Sequence, residues 1–139
     1  MLRPALLATA LALAAPAHAA TIELRAGPLT LAPGQVARTL VSNSGTAACR
    51  ARVTVLRGVV QEDGGVTLAR QPAEDAGLPA GAARVGYTDP DIMPELVQVA
   101  ATCECRSLTA AQVRAAVRVT LEAAASRTGP ALATMAGTD

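Results

Sequence analysis

The chain has 139 residues, 51% of them apolar, with three cysteines, no lysine and a single aromatic side chain, Tyr87. Its 12 arginines against 11 acidic residues give a net charge of +1, and loss of an N-terminal leader carrying Arg3 leaves 11 of each. Near-neutrality excludes function by phosphate neutralisation, so neither nucleic acid nor an anionic membrane surface is an expected partner.

Arg3 is followed by the apolar run Leu6 to Ala15 and by the small-residue site Ala17-His18-Ala19. That is the grammar of a secretory signal, and it predicts a leader over residues 1–19, cleaved before Ala20. The run is shorter than the ~20 residues of a membrane span, no cysteine stands at the cleavage site for a lipid anchor, and no later stretch is apolar for long enough to cross a bilayer. A periplasmic or secreted product is expected, with residues 20–139 as a single β-sandwich domain. The only histidine, His18, falls in the leader, which deprives the mature chain of the usual general base and the commonest metal ligand.

Thr21 to Arg25 alternates as a first strand, placed at an edge and ended by Gly27-Pro28. Pro33-Gly34 is a turn, since proline presets a negative φ and glycine accepts a positive one. Gln35 to Ser42 follows as a strand whose two faces are too mixed to assign a buried side. After the turn cluster Asn43-Ser44-Gly45, the best-defined strand, Cys49 to Arg57, sets Cys49, Ala51, Val53 and Val55 on one face and Arg50, Arg52 and Thr54 on the other. Glu62-Asp63-Gly64-Gly65 reads as the turn of a hairpin with arms Val59-Val60 and Val66-Thr67-Leu68. Residues 71–94 are punctuated by prolines and glycines and read mostly as loop, with one short strand over 82–88. Glu95 to Arg106 alternates again, with Val97, Val99, Ala101, Cys103 and Cys105 on one side.

Thr109 to Ala125 supports two readings. As a strand it buries Val113, Ala115, Val117, Val119 and Leu121; as a helix it starts at a Thr109-x-x-Gln112 capping box and carries Val113, Val117 and Leu121 on one stripe. The β-branched run Val117 to Thr120 favours the strand, leaving room for a short helix within 108–125. Arg127 to Pro130 is a turn, and Ala131 to Met135 a final short strand.

Short strands between Gly/Pro turns predict an all-β fold, an antiparallel β-sandwich. The run Leu31-x-Pro33-Gly34-Gln35, a strand, Asn43-x-Gly45 and a second strand resembles the opening of immunoglobulin-like or fibronectin-III-like modules of bacterial exported proteins, over about a quarter of the chain. The resemblance implies an immunoglobulin-like sandwich used for adhesion, assembly or presentation. The chain departs from the antibody pattern in having no tryptophan.

By parity Cys49, Cys103 and Cys105 all point inward, and in an oxidising compartment Cys49 is expected to pair with Cys103 or Cys105. Closing a loop of about 50 residues, the bond contributes roughly 3–4 kcal/mol in the chain-entropy model. Two metal readings compete with this. Cys103 and Cys105, with Met93, form a soft set suited to periplasmic copper, and Asp89, Asp91 and Glu95 form an oxygen set suited to calcium. Both lack the supporting ligands that would favour them over a disulfide and a solvated acidic loop, so no cofactor is expected. Arg50, Arg52 and Arg57, with Arg114 and Arg118, are the makings of a basic stripe on one sheet. No nucleophile–base pair or phosphate loop is found. The sequence therefore predicts a non-enzymatic module that binds another protein or assembles with itself, with copper binding as the alternative.

Overall fold

The computed structural model describes residues 20–138, so the expected leader 1–19 and His18 lie outside the described residues. The elements run β1 (Thr21–Leu31), β2 (Val36–Asn43), β3 (Cys49–Val59), β4 (Ala69–Arg70), β5 (Glu74–Leu78), β6 (Ala83–Tyr87), β7 (Glu95–Cys105), α1 (Ala110–Ala116), β8 (Val117–Ala124) and β9 (Ala131–Ala136). Two antiparallel sheets pack face to face, one ordered β1-β7-β3-β4 with β5 also on β3, the other ordered β6-β2-β8-β9. This is the expected all-β sandwich with one short helix.

Alternation builds the core. Val97, Val99, Ala101, Cys103 and Cys105 of β7 are all fully buried and face Ala37, Thr39 and Val41 of β2 and Val117, Val119 and Leu121 of β8. The side of β2 that its sequence leaves open is thus settled by pairing: Ala37, Thr39 and Val41 point in, while Arg38 turns out to meet Glu122.

The first strand lies at an edge, as expected, but does not end at Gly27-Pro28. A bulge there shifts the register between Ala26 and Leu29, so that inward positions pass from Ile22, Leu24 and Ala26 to Leu29 and Leu31. Gly27 has φ +104°, and a Cβ on it would meet the Val97 carbonyl at 2.9 Å, so glycine is required where the strand changes parity. The expected hairpin arm at Val66 to Leu68 is also corrected: pairing resumes only at Ala69–Arg70, opposite Leu56 and Arg57. Within 71–94 the strand expected over 82–88 is present as β6, and β5, paired with β3, is an addition.

The segment after Thr109 divides between its two readings. The capping box forms, with the Thr109 side chain accepting from the Gln112 amide and the Gln112 side chain accepting from the Thr109 amide, and the alanine-rich stretch coils as α1. At Val117 the β-branched run takes over and the chain becomes β8. Val113 and Ala116 are the buried positions of the helix, and Ala115, assigned inward by strand parity, is exposed.

Candidate functional site

The two sheets meet differently along their two long sides, and the candidate site is the side that stays open. β5 and β6 are consecutive in the chain, joined by a turn at Pro79–Ala82 that carries it from one sheet to the other. Asn43 pins that corner. Only 1% exposed, it donates from its side-chain nitrogen to the carbonyls of Ala47 (2.8 Å) and Leu78 (2.9 Å), accepts from the Gly45 amide (3.0 Å), and exchanges backbone bonds with Ala82 and Gly81. A buried amide so fully paired holds a corner in one geometry.

Away from Asn43 the strands splay and leave a cavity of about 590 Å³. Val41 of β2 with Val53 and Val55 of β3 supply its apolar surface, and Glu74 of β5 and Arg84 of β6 stand on opposite walls. The guanidinium Nε of Arg84 donates to the Gly77 carbonyl at 3.4 Å, a long bond and the one hydrogen bond between the two strands among the described residues. Val53 and Val55, assigned by parity to the core, are only partly buried because this side is unfilled.

Hydrogen-bond parity shows which backbone groups face the opening. Thr88 donates to the Ala37 carbonyl (3.0 Å) and Asn43 donates to the Ala82 carbonyl (2.8 Å), so the even-numbered residues of this segment bond to β2. In an antiparallel ladder the odd ones, Ala83, Val85 and Tyr87, then direct their N–H and C=O groups to the free edge. All five residues of β6 are exposed, Val85 at 49% and Tyr87 at 44%. The Thr88 hydroxyl anchors the strand from below by accepting the buried Ala37 amide at 3.0 Å. Beside it Arg127 lies 5.4 Å from the Tyr87 ring centre and 3.3 Å from Asp89.

Cys49 pairs with Cys105, closing a sequence separation of 56. The β3–β7 register decides the partner, since it sets Cys49 opposite Cys105 and Ala51 opposite Cys103. Arg106 donates to Ala48, which makes Cys49/Cys105 a non-hydrogen-bonded pair, the kind in which opposed side chains approach most closely. The bond therefore lies within one sheet rather than between the two. Cys103 is left as a free, buried thiol, and burial pushes its pKa up to about 11.

The disulfide removes Cys105 from the soft set with Cys103 and Met93. In the oxygen set, Asp89 meets Arg127, the Asp91 carboxylate accepts from the Met93 amide at 3.0 Å, and Glu95 is buried in a two-pronged pair with Arg57 (2.8 and 2.7 Å). No group of three or more His, Cys, Asp or Glu residues that could hold a metal occurs among the described residues. The hydrogen bond from Arg57 to Glu95 raises the arginine pKa further above its ordinary value. The arginines do not form one stripe: Arg50, Arg52 and Arg57 lie on β3, whereas Arg114 belongs to α1 and Arg118 to β8 of the other sheet.

Sequence reasoning placed a strand at β6 but missed its role, because which edge stays unpaired depends on contacts between distant strands. The one local signal was the run of Tyr87 and Val85 beside Gly86, apolar residues in a stretch otherwise punctuated as loop. No helix among the described residues is long and apolar enough to cross a membrane. The chain matches no family model, no curated protein and no solved structure.

Proposed function

We propose that this protein is a non-enzymatic exported module, periplasmic or secreted, that binds another protein chain by accepting an extended segment along β6. The observation that carries the reading is the row of Ala83, Val85 and Tyr87 backbone groups, unpaired among the described residues, beside an unfilled seam lined by valines and by charged and polar side chains. Strand addition takes its affinity from main-chain hydrogen bonds and its specificity from pockets for alternate side chains, and the seam offers both. The Cys49–Cys105 bond suits an oxidising compartment. Loss of His18 with the leader removes the commonest catalytic base.

The test uses a phage-displayed library of random heptapeptides panned on the purified protein and on Val85→Pro. Val85 directs its amide to the free edge, so proline there removes a group offered to a partner without removing a β2–β6 bond. Peptides with alternating aliphatic residues should be selected by the parent protein and bind the variant at least ~10-fold more weakly, the loss of about one to two good hydrogen bonds. Failure to select such peptides, or equal binding to both proteins, overturns the reading.

A further inference from the structure

The segment that best fits the free edge of β6 is β6 itself. We propose that two copies of this chain pair antiparallel through Ala83–Tyr87 about a two-fold axis at Val85, joining the two four-stranded sheets into one of eight strands. The inference rests on the reading of β6 as a binding edge and names its occupant.

The register of β6 is self-complementary. With Val85 on the axis, the outward-directed backbone groups of Ala83, Val85 and Tyr87 meet those of the second copy's Tyr87, Val85 and Ala83, so every offered N–H finds a carbonyl. On the outer face Val85 meets Val85, and each Tyr87 ring lies across the smallest chiral side chain, Ala83. On the inner face each Arg84 stands opposite Gly86. Large therefore meets small at every rung but the central one, where two valines meet, and no rung sets like charges directly opposite, which would be destabilising.

Arg84 is what makes this selective. A charge pointing inward on an edge strand ordinarily guards that edge against pairing, because an incoming side chain must share its space. Gly86 has no side chain, and nothing lies within 4 Å of a Cβ built on it, so the guard admits a strand that presents a glycine at that rung. With Arg57, Asp75 and Asp89 each held in an ion pair within the chain, the two copies bring Glu74 and Arg84 to the joined seam as opposite charges on facing strands. The processed chain, with 11 arginines and 11 acidic residues, carries no net charge to hold copies apart. The opposite edge of the same sheet is unsuited to the role: β9 pairs irregularly with β8, with Leu132 as an extra residue opposite Ala123 and Ala124, and its continuation is already paired with β1 through Thr138.

The experiment is sedimentation velocity over a concentration series on the parent protein, on Val85→Arg, on Val85→Glu and on an equal mixture of the two variants. Val85 is half exposed, so both variants should fold; failure of Cys103 to react with a thiol reagent reports that they have. The parent should show a concentration-dependent dimer. Each variant alone sets like charges face to face on the axis and should associate at least ~5-fold more weakly. The mixture sets Arg against Glu and should recover dimer, as a heterodimer. This recovery is specific to a register in which residue 85 meets itself. A parent dimer indifferent to both substitutions, or variants that stay monomeric when mixed, overturns the proposed pairing. A parent that is monomeric throughout also overturns it, and selection of heptapeptides by that same monomer would show that the binding edge survives while self-pairing does not.

Discussion

Along one long side of the sandwich, β1 and the end of β9 are stitched together. Gly137 donates to the Val119 carbonyl at 2.7 Å, and the next residue, Thr138, exchanges backbone bonds of 2.7 and 2.8 Å with Arg25 of β1. Leu24 and Ala26, on either side of Arg25, are buried. Along the other side, β5 and β6 leave the corner at Asn43 and diverge, with the long Arg84–Gly77 bond between them. The stitched side is built on the 11-residue β1, whose inward positions are Ile22, Leu24, Ala26, Leu29 and Leu31, whereas β5 and β6 have five residues each, and only Leu78 among them is buried. What also differs is how the crossing is made: Thr138 pairs backbone to backbone with Arg25, whereas beyond Tyr87 the crossing is a side-chain bond, from Arg57 of β3 to the Asp89 carbonyl. An edge whose backbone groups are unpaired is a template for another chain, and this molecule ties β1 to the continuation of β9 while β6 keeps a free edge among the described residues.

The largest expected effect comes from the bond that ties the two sides together. Cys49 lies on β3, which also carries the seam residues Val53 and Val55, and Cys105 on β7, which pairs with β1. Replacing both by alanine should lower the unfolding free energy by about 4 kcal/mol, since the bond closes a long loop. Urea denaturation of the parent and the double variant measures it. A loss below about 1 kcal/mol would mean that the β3–β7 register alone holds the halves together.

Next in size is Arg57→Ala. Glu95 is 2% exposed and its two oxygens are held by Arg57, whose Nη2 also donates to the Asp89 carbonyl at 2.9 Å. Removing the arginine strands a buried carboxylate and should cost about 3 kcal/mol. Arg57 stands at the wide end of the seam, so the same substitution should loosen Asp89 and the end of β6. Hydrogen exchange at Thr88 should accelerate; unchanged exchange there would show that the ion pair supports β7 alone.

The free thiol reports on the closed interior. Cys103 is fully buried, and its pKa lies at about 11 against 9.0 for a free side chain. A group with a raised folded-state pKa contributes stability in full below the unfolded value and loses it as pH rises through the folded one. Stability should therefore fall by about 2 kcal/mol between pH 9 and pH 11 through this thiol, taking 1.36 kcal/mol per pKa unit. Cys103→Ala should remove that part of the slope. If the parent and the variant share one pH profile, the thiol is not shielded as its position implies.

Much of this architecture was legible locally, because alternation is a nearest-neighbour property. β3, β7 and the inward set Val97 to Cys105 follow from a period of two, and the capping box at Thr109 follows from two residues three apart. The features that define the candidate site do not. Parity placed Val53 and Val55 in the core without revealing that no strand would cover them. It placed all three cysteines inside without revealing that the β3–β7 register sets Ala51, not Cys49, opposite Cys103. The bulge at Gly27 and the helix-to-strand change at Val117 each reset the period, and a fixed period cannot be carried through either. Pairing between distant strands decides which edge is left over, and that information is spread over the whole chain.

The smallest predicted effect is the sharpest measure of the open side. Val55 and Val99 are cross-strand neighbours in a non-hydrogen-bonded pair and point to the same face, yet Val99 is fully buried while Val55 is partly exposed. Val99→Ala removes two methyl groups from a packed interior and should cost about 2 kcal/mol; Val55→Ala, at a position already partly in water, should cost about 1 kcal/mol. The difference of about 1 kcal/mol is the contribution of the missing cover. It also depends on what fills the seam. At protein concentrations where a second copy is paired along β6, Val55 loses its remaining solvent contact, and the cost of Val55→Ala should rise toward that of Val99→Ala while the cost of Val99→Ala stays fixed. Denaturation of both variants at low and high protein concentration reads this directly. Equal costs at low concentration would mean that the seam is already closed in the free protein.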